Sequence, residues 1–133
     1  MEKITIDDLK KIEIKIGKVL SAESIEGSEK LLKLLVDMGL KPRSGSPDHS
    51  DNQNGLGEER DIRQILSGIA KYYPGGEGLV GLKCSFVSNL APRMMMGLES
   101  NGMLLAVSGE SDGKEFFSPL IVSEEVLEGS VVK

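Results

Sequence analysis

The chain has 133 residues, 39% hydrophobic and 28% charged, with a net charge of −5, which is the size and composition of one globular domain. A disordered tail is excluded, no apolar run approaches the roughly 18 residues that a membrane helix needs, and Met1, Glu2, Lys3 and Ile4 offer no signal-peptide core, so a cytoplasmic protein is expected. A single cysteine (Cys84) and a single histidine (His49) can form neither an internal disulfide nor a zinc site between them, and no metal or cofactor is expected.

In chain order, residues 5–12 begin with Thr5 as a helix cap, continue with Asp7 and Asp8 where the helix dipole favours acids, and space Leu9 and Ile12 three apart. They predict a short amphipathic helix in an N-terminal arm, residues 1–12. Ile14, Ile16, Val19 and Leu20 then read as a strand that bends at Gly17, where a missing side chain permits a bulge. Residues 28–38 are ambiguous, because Leu31, Leu32, Leu34, Leu35 and Val36 fit a helical face slightly better than the strand alternation Leu32, Leu34, Val36.

Residues 39–60 are rich in glycine, serine, asparagine and acids, with only Leu40 and Leu56 apolar, and read as a mobile surface insertion that carries His49. Strands are predicted over residues 61–69, 82–90 and 102–107, with a glycine-rich turn region at 70–81 and short extended pieces over 116–133. Five strand candidates with one or two short helices predict an all-β chain, a small closed barrel decorated at its ends. On this reading the barrel occupies residues 13–38 and 61–108, and residues 109–133 form a C-terminal extension. The extension holds more apolar residues (Phe116, Phe117, Leu120, Ile121, Val122, Val126, Leu127) than one small barrel can cover, which predicts a homodimer.

No nucleophile and base can be paired, and no phosphate-binding Gly-x-x-x-x-Gly-Lys-Ser/Thr run occurs, so an enzyme is not expected. The Gly-x-Gly-x-x-Gly spacing at Gly76, Gly78 and Gly81 leads into an extended run rather than a helix and reads as a turn. The negative charge is uneven: residues 94–133 hold two basic against seven acidic residues, which leaves residues 1–93 neutral and able to present a local basic face.

The stretch 89–105, Asn-Leu-Ala-Pro-Arg-Met-Met-Met-Gly-Leu-Glu-Ser-Asn-Gly-Met-Leu-Leu, mixes recognition chemistry with core. Asn89 and Ser100 are short donors and acceptors, Arg93 offers a planar fork for phosphate or a base edge, and Gly97 and Gly102 permit close backbone approach. A tight strand connection with Met94, Met95 and Met96 as gap fillers accounts for the same residues.

This stretch resembles the tRNA-binding domain family found at the C-terminus of many methionyl-tRNA synthetases, in stand-alone structure-specific tRNA-binding proteins and in the endothelial monocyte-activating polypeptide precursor. The family pattern is matched at Asn89, Leu90, Pro92, Arg93, Met96, Gly97, Ser100, Gly102, Met103 and Leu105, and three further blocks follow the family order: Ile16-Gly17-Lys18-Val19, Gly27-Ser28-Glu29-Lys30-Leu31 and Ser67-Gly68-Ile69-Ala70-Lys71-Tyr72-Tyr73.

The resemblance implies a five-stranded oligonucleotide-binding (OB) fold with N- and C-terminal additions, commonly a homodimer, in which residues 30–37 are the second strand despite their helical periodicity. It implies a non-catalytic tRNA-binding module that assists aminoacylation, stand-alone or as part of methionyl-tRNA synthetase. Ala91 and Met94 stand where many relatives place lysine, which removes two charges from the loop. The tRNA site is therefore expected at Lys30, Lys33, Arg63, Lys71, Asn89, Arg93, Ser100 and Met103. The competing reading is a dimeric export chaperone of the same fold that binds unfolded polypeptides; its relatives lack the Ser-x-Gly-Met and Gly-Ile-Ala-Lys-Tyr-Tyr blocks that this chain carries.

Overall fold

A computed structural model describes residues 1–42 and 56–133. After α1 (Ile6–Leu9) come β1 (Ile14–Ser24), β2 (Leu32–Pro42), β3 (Leu56–Ser67), a 3-10 turn (Pro74–Gly76) and β4 (Lys83–Val87). These are followed by β5 (Arg93–Met95), β6 (Leu98–Ser100), β7 (Met103–Leu104), β8 (Ala106–Ser111) and β9 (Lys114–Pro119). The main sheet is antiparallel with strand order β3-β2-β1-β4-β7, while β5 with β6 and β8 with β9 form separate hairpins.

The sheet curls until its outer strand β3 meets the segment that enters β7. The Asn101 N–H donates to the Gln64 carbonyl at 2.9 Å, the Gln64 side-chain amide donates to the Glu99 carbonyl at 2.9 Å, and the Leu66 N–H donates to Ser100 Oγ at 3.0 Å. Backbone groups that an open edge would leave unpaired are satisfied in this way. The result is the nearly all-β, OB-like barrel that the sequence predicts.

Inside it, Val19, Leu32, Leu34, Val36, Met38, Ile65, Leu79, Cys84 and Phe86 are fully buried. The leucine-rich segment is thus a strand, with Leu32, Leu34, Val36 and Met38 inward and Lys33 and Leu35 facing out. Pairing on both sides, with β1 and β3, outweighs the local helical periodicity.

Two features of the strands differ from expectation. The bulge in β1 lies at Leu20, where the register steps from Val19↔Val36 to Ser21↔Leu35, and not at Gly17. Gly17 serves space instead: a Cβ there would stand 2.5 Å from Val36 Cγ1 and 2.6 Å from Met38 Sδ, closer than packed atoms approach. The insertion is shorter than residues 39–60, since β2 runs on to Pro42 and β3 starts at Leu56, pairing Leu40↔Arg60 and Pro42↔Leu56; the expectation for His49 falls outside the described residues.

The C-terminal extension is also woven into its own barrel. Ser85 N–H donates to the Leu120 carbonyl and Val122 N–H to the Lys83 carbonyl, both at 3.0 Å, while Gly129 and Val132 donate to the carbonyls of Ile16 (2.7 Å) and Ile14 (2.8 Å). The tail therefore completes strands β4 and β1, a role that linear composition does not reveal. Among the described residues no helix is long and apolar enough to cross a membrane.

Thr5 caps α1 as expected. Its hydroxyl accepts from the Asp8 N–H and the Asp8 carboxylate accepts from the Thr5 N–H, a reciprocal capping box. The helix is a single turn rather than the predicted span to Ile12, and Ile6, Leu9 and Ile12 are left about half exposed.

Candidate nucleic-acid interface

The connection from β4 to β7 projects from a base clamped at both ends. Asn89 holds the first end: its Oδ1 accepts from the Glu13 N–H at 2.8 Å and its Nδ2 donates to the Lys11 carbonyl at 2.7 Å. Arg63 ties the two ends together, donating through Nη1 to the carbonyls of Ser88 (2.6 Å) and Asn101 (3.4 Å), while Asp61 neutralises its Nε and Nη2 at 3.1 and 3.0 Å. Ser100, only 3% exposed, fixes the second end by accepting from Leu66 and donating to the Gly102 carbonyl.

From this base β5 and β6 rise as a hairpin in the register Arg93↔Ser100, Met94↔Glu99, Met95↔Leu98. Its two-residue turn, Met96 and Gly97, has φ of 53° and 77°, the positive pair that such a turn requires. A side chain rarely adopts that region, yet Met96 does so at the hairpin tip with its side chain half exposed. Met96 Cε lies 3.5 Å from where a Cβ on Gly27 would stand, so the tip rests over the turn between β1 and β2. Lys30 follows in that turn, and its carbonyl accepts from the Ala70 N–H at 3.1 Å, which brings Lys71 to the same end of the barrel.

The eight residues expected at the site divide into three groups. Arg93 and Lys30 point to solvent and make no side-chain hydrogen bond or ion pair among the described residues, and Met103 on β7 is also exposed, at 43%. Lys33 pairs across strands with Glu23 at 2.7 Å, and Lys71 reaches both oxygens of Glu115 at 2.8 Å. Arg63, Asn89 and Ser100 have their polar side-chain atoms in intramolecular hydrogen bonds, and in this structure they brace the loop. Replacing Ser100 with alanine leaves the buried Leu66 N–H without an acceptor and is expected to cost about 1–3 kcal/mol of stability, read as a lower midpoint in urea; an unchanged midpoint counts against the clamp.

Sequence reasoning missed Glu23, Asp61, Gln64 and Glu115. Glu23 and Asp61 follow once the register is known, but nothing linear links Glu115 to Lys71 across 44 residues. The hydrogen bond to Glu115 raises the Lys71 pKa, and the hydrogen bonds from Lys71 and Tyr72 hold Glu115 below its usual 4.5. Because the folded carboxyl value is depressed, the pair persists through mild acid and is lost only as pH falls through that lowered value. Cys84 is the opposite case: burial pushes its thiol up to about 11, which makes it core rather than a nucleophile.

A curled five-stranded barrel with a clamped, outward-pointing loop beside the β1–β2 turn defines an OB-fold module of the kind whose strand face and loops take up nucleic acid. Residues 55–130 match the protein family described as "Putative tRNA binding domain", and the chain belongs to that family. It is 41% identical, over 99% of its length, to methionine–tRNA ligase of Lactococcus lactis, and 45% identical, over 88% of its length, to that of Methanoregula boonei. It spans only 17% and 14% of those two proteins.

Among solved structures, a MetRS related protein from Pyrococcus horikoshii matches with a TM-score of 0.74 and 36% identity, covering 100% of both chains. The chaperone CsaA of Bacillus anthracis shares the fold, with a TM-score of 0.70 at 20% identity, covering 99% of this chain and 100% of that one.

Proposed function

We propose that this chain is a non-catalytic module that binds folded tRNA at the barrel end bearing the β5–β6 hairpin, and that it serves aminoacylation in the cytoplasm, alone or joined to a methionyl-tRNA synthetase. The observation that carries this reading is the clamped hairpin, on which Arg93 is exposed; neither Arg93 nor Lys30, in the β1–β2 turn under the hairpin tip, has an internal counter-ion among the described residues. Clamping reduces the entropy lost when a ligand is held. Phosphate contacts fix orientation without reading sequence, which suits recognition of tRNA by shape. Membership of the family, with methionine–tRNA ligases among the relatives, supports tRNA as the RNA.

The protein is read as a homodimer. Phe116, Leu120, Ile121 and Leu127 stay about half exposed or more, and a groove of about 600 Å³ lined by Ile6, Leu9, Ile12, Val131 and Val132 lies between α1 and the tail; apolar surface of this kind marks an interface.

One observation favours the chaperone alternative, the exposed apolar set Leu90, Met94 and Met96 around the hairpin. Fluorescence anisotropy with labelled bulk tRNA and with a labelled unfolded polypeptide, combined with light scattering, separates the readings. Saturable tRNA binding that weakens with salt, on a particle of twice the chain mass, is expected. Binding of the polypeptide with no response to tRNA overturns the proposal.

A further inference from the structure

The hairpin of β8 and β9 folds back onto residues 71–73. Phe117 stacks on Tyr72 with ring centroids 4.3 Å apart and planes 6° from parallel, and meets Tyr73 edge-on at 6.0 Å. This packing delivers Glu115 to Lys71, whose Nζ lies 2.8 Å from each carboxylate oxygen, while the Tyr72 hydroxyl donates to Oε2 at 3.2 Å.

The carboxylate sits there against its own local interest. Glu110 stands directly opposite Glu115 in the β8–β9 register, and like charges facing across a strand pair repel. Lys71 and Tyr72 supply the compensation. A carboxylate with two oxygens and one negative charge presents to a lysine what the two non-bridging oxygens of a backbone phosphate present. The pair is open to water, with 67% of the Lys71 side chain and 49% of that of Glu115 exposed, and exposed pairs are weak enough to exchange partners.

We propose that Glu115 is an internal stand-in for an RNA phosphate, so that the β8–β9 hairpin masks Lys71 and sets the affinity and ionic-strength response of the interface. This rests on the tRNA-binding reading above and adds to it a regulating contact. When a phosphate takes Lys71, Glu115 is left facing both that phosphate and Glu110, and the hairpin opposes binding. Lys33 and Glu23 differ, being direct neighbours in the β1–β2 register, where such pairing is the ordinary support of a sheet.

The test is tRNA affinity as a function of salt for the full chain, Glu115→Gln, Lys71→Gln and the double variant, with melting temperatures to verify folding. Glutamine keeps an acceptor for Tyr72 while removing the charge, so Glu115→Gln is expected to bind bulk tRNA about two- to tenfold more tightly at low salt. Its plot of log affinity against log salt should steepen by up to about one unit. In the double variant the gain should vanish, because it requires Lys71.

A gain that persists without Lys71 reflects general charge and overturns the proposal. Unchanged affinity and slope in Glu115→Gln, while Arg93→Ala still weakens binding, overturns it too and leaves the tRNA reading standing. If neither Arg93→Ala nor Glu115→Gln alters binding, the reading itself fails and the proposal with it.

Discussion

Phe86→Ala is expected to lower the stability of the fold by roughly 3–5 kcal/mol, the range for removing a large aromatic side chain from a packed core. Phe86 is fully buried in β4, which pairs with β1 on one side and β7 on the other. Its ring also fills the space left by Gly17, since a Cβ on that glycine would stand 3.1 Å from Phe86 Cδ1. The neighbours cannot close over the gap without moving two strands at once. For a domain whose total stability is about 5–15 kcal/mol, that loss is a third or more, and urea unfolding should show a much lower midpoint with a similar slope. A loss below about 1 kcal/mol would place the core elsewhere.

Arg93→Ala should act the other way round, on binding and not on folding. Arg93 is exposed and its guanidinium makes no hydrogen bond or ion pair among the described residues, so its removal should leave the urea midpoint nearly unchanged. A charge-assisted hydrogen bond is worth roughly 1.5–3 kcal/mol, which corresponds to a roughly ten- to hundredfold weaker complex with tRNA. Ser100→Ala is the contrasting variant, since Ser100 is buried and its expected effect is on stability. If Arg93→Ala binds as well as the parent, the hairpin is structural and the RNA face lies on another surface.

The barrel was legible because glycine turns separate short apolar runs of strand length, and Thr5 announced its helix cap three residues ahead of Asp8. Residues 32–38 were not legible from periodicity, as a run of leucines satisfies both a helical face and an alternating strand. Their identity as β2 depends on partners in β1 and β3, and only the family resemblance supplied it. The bulge was misplaced because Gly17 has two uses that look alike in a sequence, a bend and a close approach, and here it serves the second.

At the proposed site, residues 89–105 could be singled out in the sequence as one segment, but the roles of its residues could not be sorted. Asn89 and Ser100 carry the same chemistry whether they face a ligand or clamp a backbone, and only the positions of Glu13, Lys11 and Leu66 decide between these roles. The cations raised a similar difficulty: Lys30 and Lys71 look equivalent until Glu115 arrives from a distant hairpin.

The central claim, that tRNA is held electrostatically by this end of the barrel, is tested most directly by the salt dependence of tRNA affinity in the parent and in Ala91→Lys/Met94→Lys. Ala91 and Met94 are both exposed beside Arg93, and each added lysine that neutralises a phosphate contributes about one unit to the slope of log affinity against log salt. The double variant is expected to bind more tightly at low salt and to steepen that slope by up to about two units. Parallel plots with equal affinities would contradict the claim, because if this loop contacts phosphate, two new charges at its edge cannot leave its ionic response unchanged.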